Sequence, residues 1–206
     1  MSDTTHDSTA FYLKRLMSIT GLLPVGGFLV QHIFSNSYIF NSPQVFNEHS
    51  EFLLSFPRVV LIELALIYFP IFLHAALGIV IVYKSQNNFA QYGFFRNWMF
   101  FFQRLTGLVA LIYIIVHSYT TRIHSFLTHQ EFHAANMSQT LSQPFWFWFY
   151  FVGIICVVFH FSNGIWNFLV TWGIIVGKKA QKIATALTMA LFVAMSLWCV
   201  QILLQF

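Results

Sequence analysis

Charge is scarce in this sequence. Lysine and arginine number 10 and aspartate and glutamate 6 among 206 residues, so charged side chains make up 8% of the chain. A soluble domain carries about 25%, and a chain this poor in charge cannot clothe a water-facing surface. Apolar residues take their place: 58% of the chain is hydrophobic, with 26 phenylalanines. It reads as an integral membrane protein. The net charge of +4 comes from scattered basic residues that form no cluster interleaved with polar readout groups, which excludes nucleic acid as a partner. Cysteine is nearly absent too. Cys156 and Cys199 both lie in apolar runs, too few for a disulfide framework or a zinc site, and without a Cys-x-x-Cys-His motif covalent c-type haem attachment is excluded. The polar residues 1–15 end in Lys14-Arg15 and precede a long apolar run that lacks a small-x-small cleavage site, so that run reads as a retained helix.

Five apolar segments, roughly 16–38, 58–83, 97–121, 144–176 and 183–205, are each long enough to cross a bilayer core of ~30 Å, which takes about 20 residues. No connection between them has room for a soluble domain. The expected fold is therefore all-α, a single transmembrane domain over 1–206 built as a five-helix bundle, with the first residues and the last few loose. Lys14, Arg15, Lys84, Arg96, Lys178, Lys179 and Lys182 fall on one side of such a bundle, with Arg104 just inside the third helix; Arg58, Arg122, Glu48, Glu51 and Glu131 fall on the other. The positive-inside rule makes the first side cytoplasmic, with the N-terminus there and the C-terminus outside. Pro24 and Pro70 interrupt the first two helices, where neighbours can re-satisfy the freed carbonyls and a mild kink is expected.

Of nine histidines, four lie inside apolar helices: His32, His74, His117 and His160, one on each of helices 1 to 4, at intervals of 42, 43 and 43 residues. Ionisable groups in lipid are costly and need a reason to be there. Helices 2 and 4 share His-x-x-x-Gly, as His74–Gly78 and His160–Gly164; helices 1 and 3 share Thr20-Gly21 before His32 and Thr106-Gly107 before His117. This internal likeness suggests a duplicated helix pair. Depth then decides which histidines meet. His74 and His160 each lie 16 residues past the start of their helices, or ~24 Å, and so share a level near the cytoplasmic face. His32 and His117 lie ~6–8 Å from the outer ends of theirs and share an outer level roughly 15 Å away along the membrane normal.

Two imidazoles facing each other at one level form an axial pair for a b-type haem, shielded by the apolar bundle. Two such pairs give two bis-histidine haem b groups stacked between helices 1–4, fitted for electron transfer because the iron has no open position. Gly78 and Gly164, four residues beyond their histidines, share the histidine face and leave room for a macrocycle. A single histidine in such a helix is ordinarily explained by packing and a hydrogen bond to a carbonyl or hydroxyl; four, paired by depth, favour a cofactor. The glycines alone also suit small-residue helix contacts. Glu48, His49 and Glu51, just beyond the outer level, are candidates to move protons for a quinone. Glu63, an intramembrane acid near the outer face, is either a proton relay or the partner of Arg58. His129 and His133 would share a face if helical and could hold a metal, although a solvated loop is the simpler reading. Arg15, Lys84 and Arg104 are placed to meet propionates of the inner haem or to snorkel to headgroups. The run Phe145–Tyr150 reads as an aromatic belt at the outer interface.

The strings Phe95-Arg96-Asn97-Trp98-Met99-Phe100, Gln103-Arg104-Leu105-Thr106-Gly107, His160-Phe161-Ser162-Asn163-Gly164-Ile165-Trp166 and Val170-Thr171-Trp172-Gly173 resemble the di-haem cytochrome b558 subunits that anchor bacterial succinate:menaquinone oxidoreductases (succinate dehydrogenases). The resemblance spans nearly the whole chain and all four histidines. It implies that His74 and His160 bind the proximal, cytoplasmic-side haem iron and His32 and His117 the distal one. It also implies two soluble partners on the cytoplasmic face, a flavoprotein with covalent FAD and a subunit with iron–sulfur clusters. Electrons would pass from those clusters through the two haems to menaquinone near the outer face, and the basic segments 84–96 and 177–182 would form the docking surface. The residues leave alternatives open: the anchor of a fumarate reductase, which is the same assembly run in reverse; a stand-alone transmembrane b-type haem electron carrier; or a transporter whose histidines relay protons.

Overall fold

The computed structural model describes residues 3–84 and 91–206, with side chains from residue 11 onward. Residues 85–90, part of the basic connection expected to dock partners, lie outside the described residues. Five helical spans are long and apolar enough to cross a membrane: Phe11–Phe40, Val59–Lys84, Phe95–Thr128, Pro144–Thr171 and Lys178–Leu203. At ~1.5 Å per residue even the shortest exceeds the ~30 Å apolar core of a bilayer. Their outer faces carry large apolar side chains such as Leu66, Phe72, Leu108 and Leu187 in the open, which suits hydrocarbon and not water. Among the described residues there is no strand.

Boundaries differ from the expected ones for local reasons. The first helix begins at Asp3, well before the apolar run, because a polar N-terminal stretch can carry the helix on into water. The third span continues to Thr128, ending where His129 turns left-handed at φ 54. The fourth stops at Thr171, after which Gly173 and Gly177 take φ of 68 and 85, values that glycine adopts without the Cβ penalty. The last residues, expected to be loose, are tied down, since the Phe206 ring packs edge-on against Phe46 at 5.2 Å.

Three spans contain a widened π turn. Gly21–Val25 holds Pro24, and Leu64–Tyr68 sits just before Pro70. Proline lacks an N–H and crowds the carbonyl four residues back; shifting to a five-residue bond, as Gly26 N–H to Gly21 O and Phe69 N–H to Leu64 O, absorbs the mismatch. The third π turn, Tyr119–Ile123, contains no proline but carries Arg122.

The fourth span is the bundle's centre, packed against the first, third and fifth, while the second lies along the first. Its Val158, Ser162 and Asn163 are the most deeply buried of the described residues. Lipid supplies no hydrophobic drive between helices, so close van der Waals fit must do the work. Glycines provide it: a Cβ on Gly26 would lie 2.5 Å from the Phe161 ring. Two short helices, Pro43–Leu54 and Ala134–Leu141, cap one end. The first is started by Ser42, whose hydroxyl accepts from Val45 N–H at 3.1 Å, and they are tied together by Ala134 N–H donating to Asn47 Oδ1 at 2.9 Å. The opposite end carries Lys14, Arg15, Lys84, Arg96, Lys178, Lys179 and Lys182 and is the basic end of the molecule.

Candidate cofactor site

Two histidine pairs lie inside the bundle at two levels. Nearer the basic end, the rings of His74 and His160 stand 6.1 Å apart, centre to centre, at an interplanar angle of 81°. Nearer the far end, His32 and His117 stand 5.8 Å apart at 71°. Each pair joins one span from the first half of the chain to one from the second, and these are the partners expected from depth.

The basic-end pair is oriented by backbone. His74 Nδ1 lies 2.9 Å from Met17 O, and His160 Nδ1 lies 2.9 Å from Gln103 O. A carbonyl only accepts, so both Nδ1 atoms carry the proton and Nε2 is the nitrogen left to bind a metal. Around His160 a polar cluster holds the third and fourth spans together. Gln103 Nε2 donates to His160 O at 3.0 Å, and Asn163 Nδ2 donates to Gln103 Oε1 at 2.7 Å and to Met99 O at 3.2 Å. Gln103 and Asn163 belong to the strings that carried the family resemblance, but their polarity at a helix interface was the signal that sequence reasoning passed over.

The far-end pair is held by aromatic rings. Tyr113 stacks on His117 at 5.4 Å and 11°, Tyr150 meets it edge-on at 5.7 Å, and Phe28 lies 5.4 Å from His32. The polar contact to His117 is long, 3.4 Å from Nδ1 to the Tyr150 hydroxyl. Tyr150, 3% exposed, corrects the aromatic-belt expectation. Phe145 and Trp148 do face outward, but helical periodicity turns Tyr150 inward.

The donors fit a haem iron. A metal between two imidazole nitrogens at ~2 Å each, with each nitrogen ~1 Å from its ring centre, sets the ring centres about 6 Å apart, as both pairs have them. Neutral imidazoles in an apolar surround are the usual ligands of bis-histidine haem. A Cβ on Gly78 would meet nothing within 4 Å, and one on Gly164 only Gln103 Nε2 at 3.5 Å.

The remaining candidates separate. Glu63 pairs with Arg122 and not with Arg58: Arg122 Nε is 2.8 Å from Oε1 and its terminal nitrogen 2.9 Å from Oε2, a forked geometry that fastens the second span to the third. The reason is reach, since the third span stays helical past residue 122. His49 stacks on Tyr38 at 3.9 Å and lies 3.1 Å from Ser35 Oγ, which also accepts from Gln31 at 2.7 Å. Glu48 and Glu51 are exposed on the same short helix, Glu48 accepting from Gln44 at 3.1 Å. His129 and His133 do not share a helical face, because the chain between them is not helical; His133 lies near Glu131 and Glu51 instead. Arg15 sits over the rings of Phe11 and Trp172, and Arg104 over Phe100.

Residues 82–201 match the family model described as succinate dehydrogenase/fumarate reductase transmembrane subunit. The chain is 40% identical, over 186 residues, to the succinate dehydrogenase cytochrome b558 subunit of Bacillus subtilis (strain 168), which covers 90% of this chain and 92% of that protein.

Proposed function

The chain belongs to the succinate dehydrogenase/fumarate reductase transmembrane subunit family, and we propose that it is the haem b-carrying membrane anchor of a bacterial succinate dehydrogenase. In this reading it takes electrons from soluble partner subunits and delivers them to menaquinone. What carries it is the arrangement of four histidines as two facing pairs inside the spans, 6.1 Å and 5.8 Å between ring centres. His74 and His160 hold the iron of an inner haem, and His32 and His117 that of an outer haem. When bound, the two haems supply one-electron transfer through the apolar layer, with no open position for oxygen.

The chain's own residues do the rest. Met17 O and Gln103 O hold the inner imidazoles with Nε2 presented to metal. Tyr113, Tyr150 and Phe28 fix the outer rings and exclude water from them. The basic end faces the cytoplasm, placing the N-terminus inside and the C-terminus outside the bacterial cytoplasmic membrane. A flavoprotein subunit with FAD and an iron–sulfur subunit dock there. Menaquinone is reduced near the outer level, where His49, with Glu48 and Glu51 on the same helix, is placed to handle protons; Glu63 is committed to Arg122. The family description names both succinate dehydrogenase and fumarate reductase, and an anchor alone does not set the direction.

Purification from native membranes tests the reading. The expected product has a reduced low-spin haem b spectrum with two components in a redox titration, and it carries flavin and iron–sulfur subunits. A colourless chain would overturn the haem role; a coloured chain that never brings those subunits would return the stand-alone carrier.

A further inference from the structure

One device holds both inner histidines. Each imidazole donates its Nδ1 proton to a helix carbonyl of the preceding span: His74 to Met17 and His160 to Gln103, both at 2.9 Å. In a regular helix that carbonyl already faces the residue four positions on. The residue there is Gly21 in one case and Gly107 in the other. A side chain at that position would stand over the carbonyl, on the same helix face, where the ring now lies. A Cβ on Gly21 would fall 2.7 Å from His74 Nδ1, and one on Gly107 2.8 Å from His160 Cε1. These are atoms of rings already pinned by a hydrogen bond, so they cannot swing aside as a flexible side-chain tip would. Carbonyl, glycine and histidine each recur at an offset of 86 residues, so each half of the chain carries its own docking groove and its own histidine.

We infer that Gly21 and Gly107 are positioning residues for the inner haem iron: each lets one imidazole lie edge-on against a bare stretch of helix, where a carbonyl fixes its tautomer and aims Nε2. The inference rests on the proposed haem role of His74 and His160. Groups that hold the second nitrogen of a metal-bound histidine typically account for ~10–100-fold in metal affinity, and glycine here contributes by granting access to that group.

The test uses the whole complex in its membrane, with Gly21→Ala, Gly107→Ala and, as control, Gly27→Ala, whose Cβ would meet nothing within 4 Å. Haem content, redox titration and ferric electron paramagnetic resonance are recorded. In both test variants the inner component should shift in potential and in resonance position, and lose haem affinity by ~10-fold or more, while the outer component keeps its amplitude. Gly27→Ala should change neither. An unchanged inner component in Gly107→Ala would overturn the inference, and so would equal loss of both components while the control stays intact. If a variant does not assemble, the unmodified protein still decides. Rings held at 81° should give the highly anisotropic low-spin signal of crossed imidazole planes, and a signal of parallel planes would show that the carbonyls do not set the rings. Absence of haem from the unmodified complex would instead overturn the proposed function, which keeps the two failures apart.

Discussion

The inner and outer histidine pairs have nearly the same spacing but are built on different principles. At the inner level the rings are held by backbone carbonyls, reached through glycines, with Gln103 and Asn163 cross-linking the third and fourth spans beside them. At the outer level they are wedged among Phe28, Tyr113 and Tyr150, and the Glu63–Arg122 pair joins the second and third spans toward the same end. Hydrogen bonds fix direction and protonation state; aromatic packing fixes volume and leaves the ring's rotation softer. The inner level should tolerate changes in neighbouring volume and react sharply to changes of backbone access. The outer level should do the reverse.

Removing a proposed haem ligand breaks the comparison most completely. His160→Ala should abolish the inner spectral component and weaken docking of the soluble subunits, whereas His32→Ala should abolish the outer component and spare docking. Spectra and subunit recovery from the same membranes check both. If the two variants lost the same component, the assignment of levels would fall.

Next in size is the Glu63–Arg122 ion pair of the outer level. Arg122 and Glu63 side chains are 24% and 17% exposed. Stranding one partner of a buried pair costs ~3–5 kcal/mol, which partial exposure reduces to about 2 kcal/mol here. Arg122→Gln should lower the temperature at which the outer component is lost, with little change in the inner one. Arg122→Lys should recover only part, because an ammonium cannot match the fork. Equal loss at both levels would show that the pair supports the whole bundle and not one level.

Much of this arrangement was legible in the sequence. Charge scarcity and segment length fix five spans, and counting residues from the helix ends pairs His74 with His160 and His32 with His117, because rise per residue is nearly constant in any helix. What could not be read depends on rotation about the helix axis and on where helices stop. Glu63 finds Arg122 because a π turn and helix persist through 119–128, which hydropathy hides behind polar letters. Gly78 and Gly164 drew notice by sharing the histidine's own helix, while Gly21 and Gly107, which take the rings, act across to a different span. Tyr150 sat within an aromatic run whose composition matched an interface belt, and only the phase of the helix turns it inward.

A volume change at the outer level sharpens the contrast further. Gly153 on the fourth span faces Tyr113, the ring stacked on His117, and an added Cβ would lie 2.9 Å from Tyr113 Cε2 and closer to two other ring atoms. Tyr113 is 8% exposed and has little room to retreat, so overpacking of ~1–3 kcal/mol is expected for Gly153→Ala. The outer component should broaden and shift while the inner one stays in place, the mirror image of Gly107→Ala. An inner shift of equal size would mean that the fourth span transmits strain along its length.

The smallest effect is expected from Tyr150→Phe, and its smallness is what gives it value. The hydroxyl lies 3.4 Å from His117 Nδ1, at the limit of a hydrogen bond, where the interaction is weak. The ring beneath it is 3% exposed and packed edge-on to His117, and phenylalanine keeps that packing. If aromatic fit holds the outer rings, removing the oxygen should cost less than ~1 kcal/mol and barely move the outer potential. If the hydroxyl instead does for His117 what Gln103 O does for His160, Tyr150→Phe should shift the outer component as far as Gly107→Ala shifts the inner one. A redox titration of the two variants side by side decides whether the levels differ in kind or only in the atoms they use.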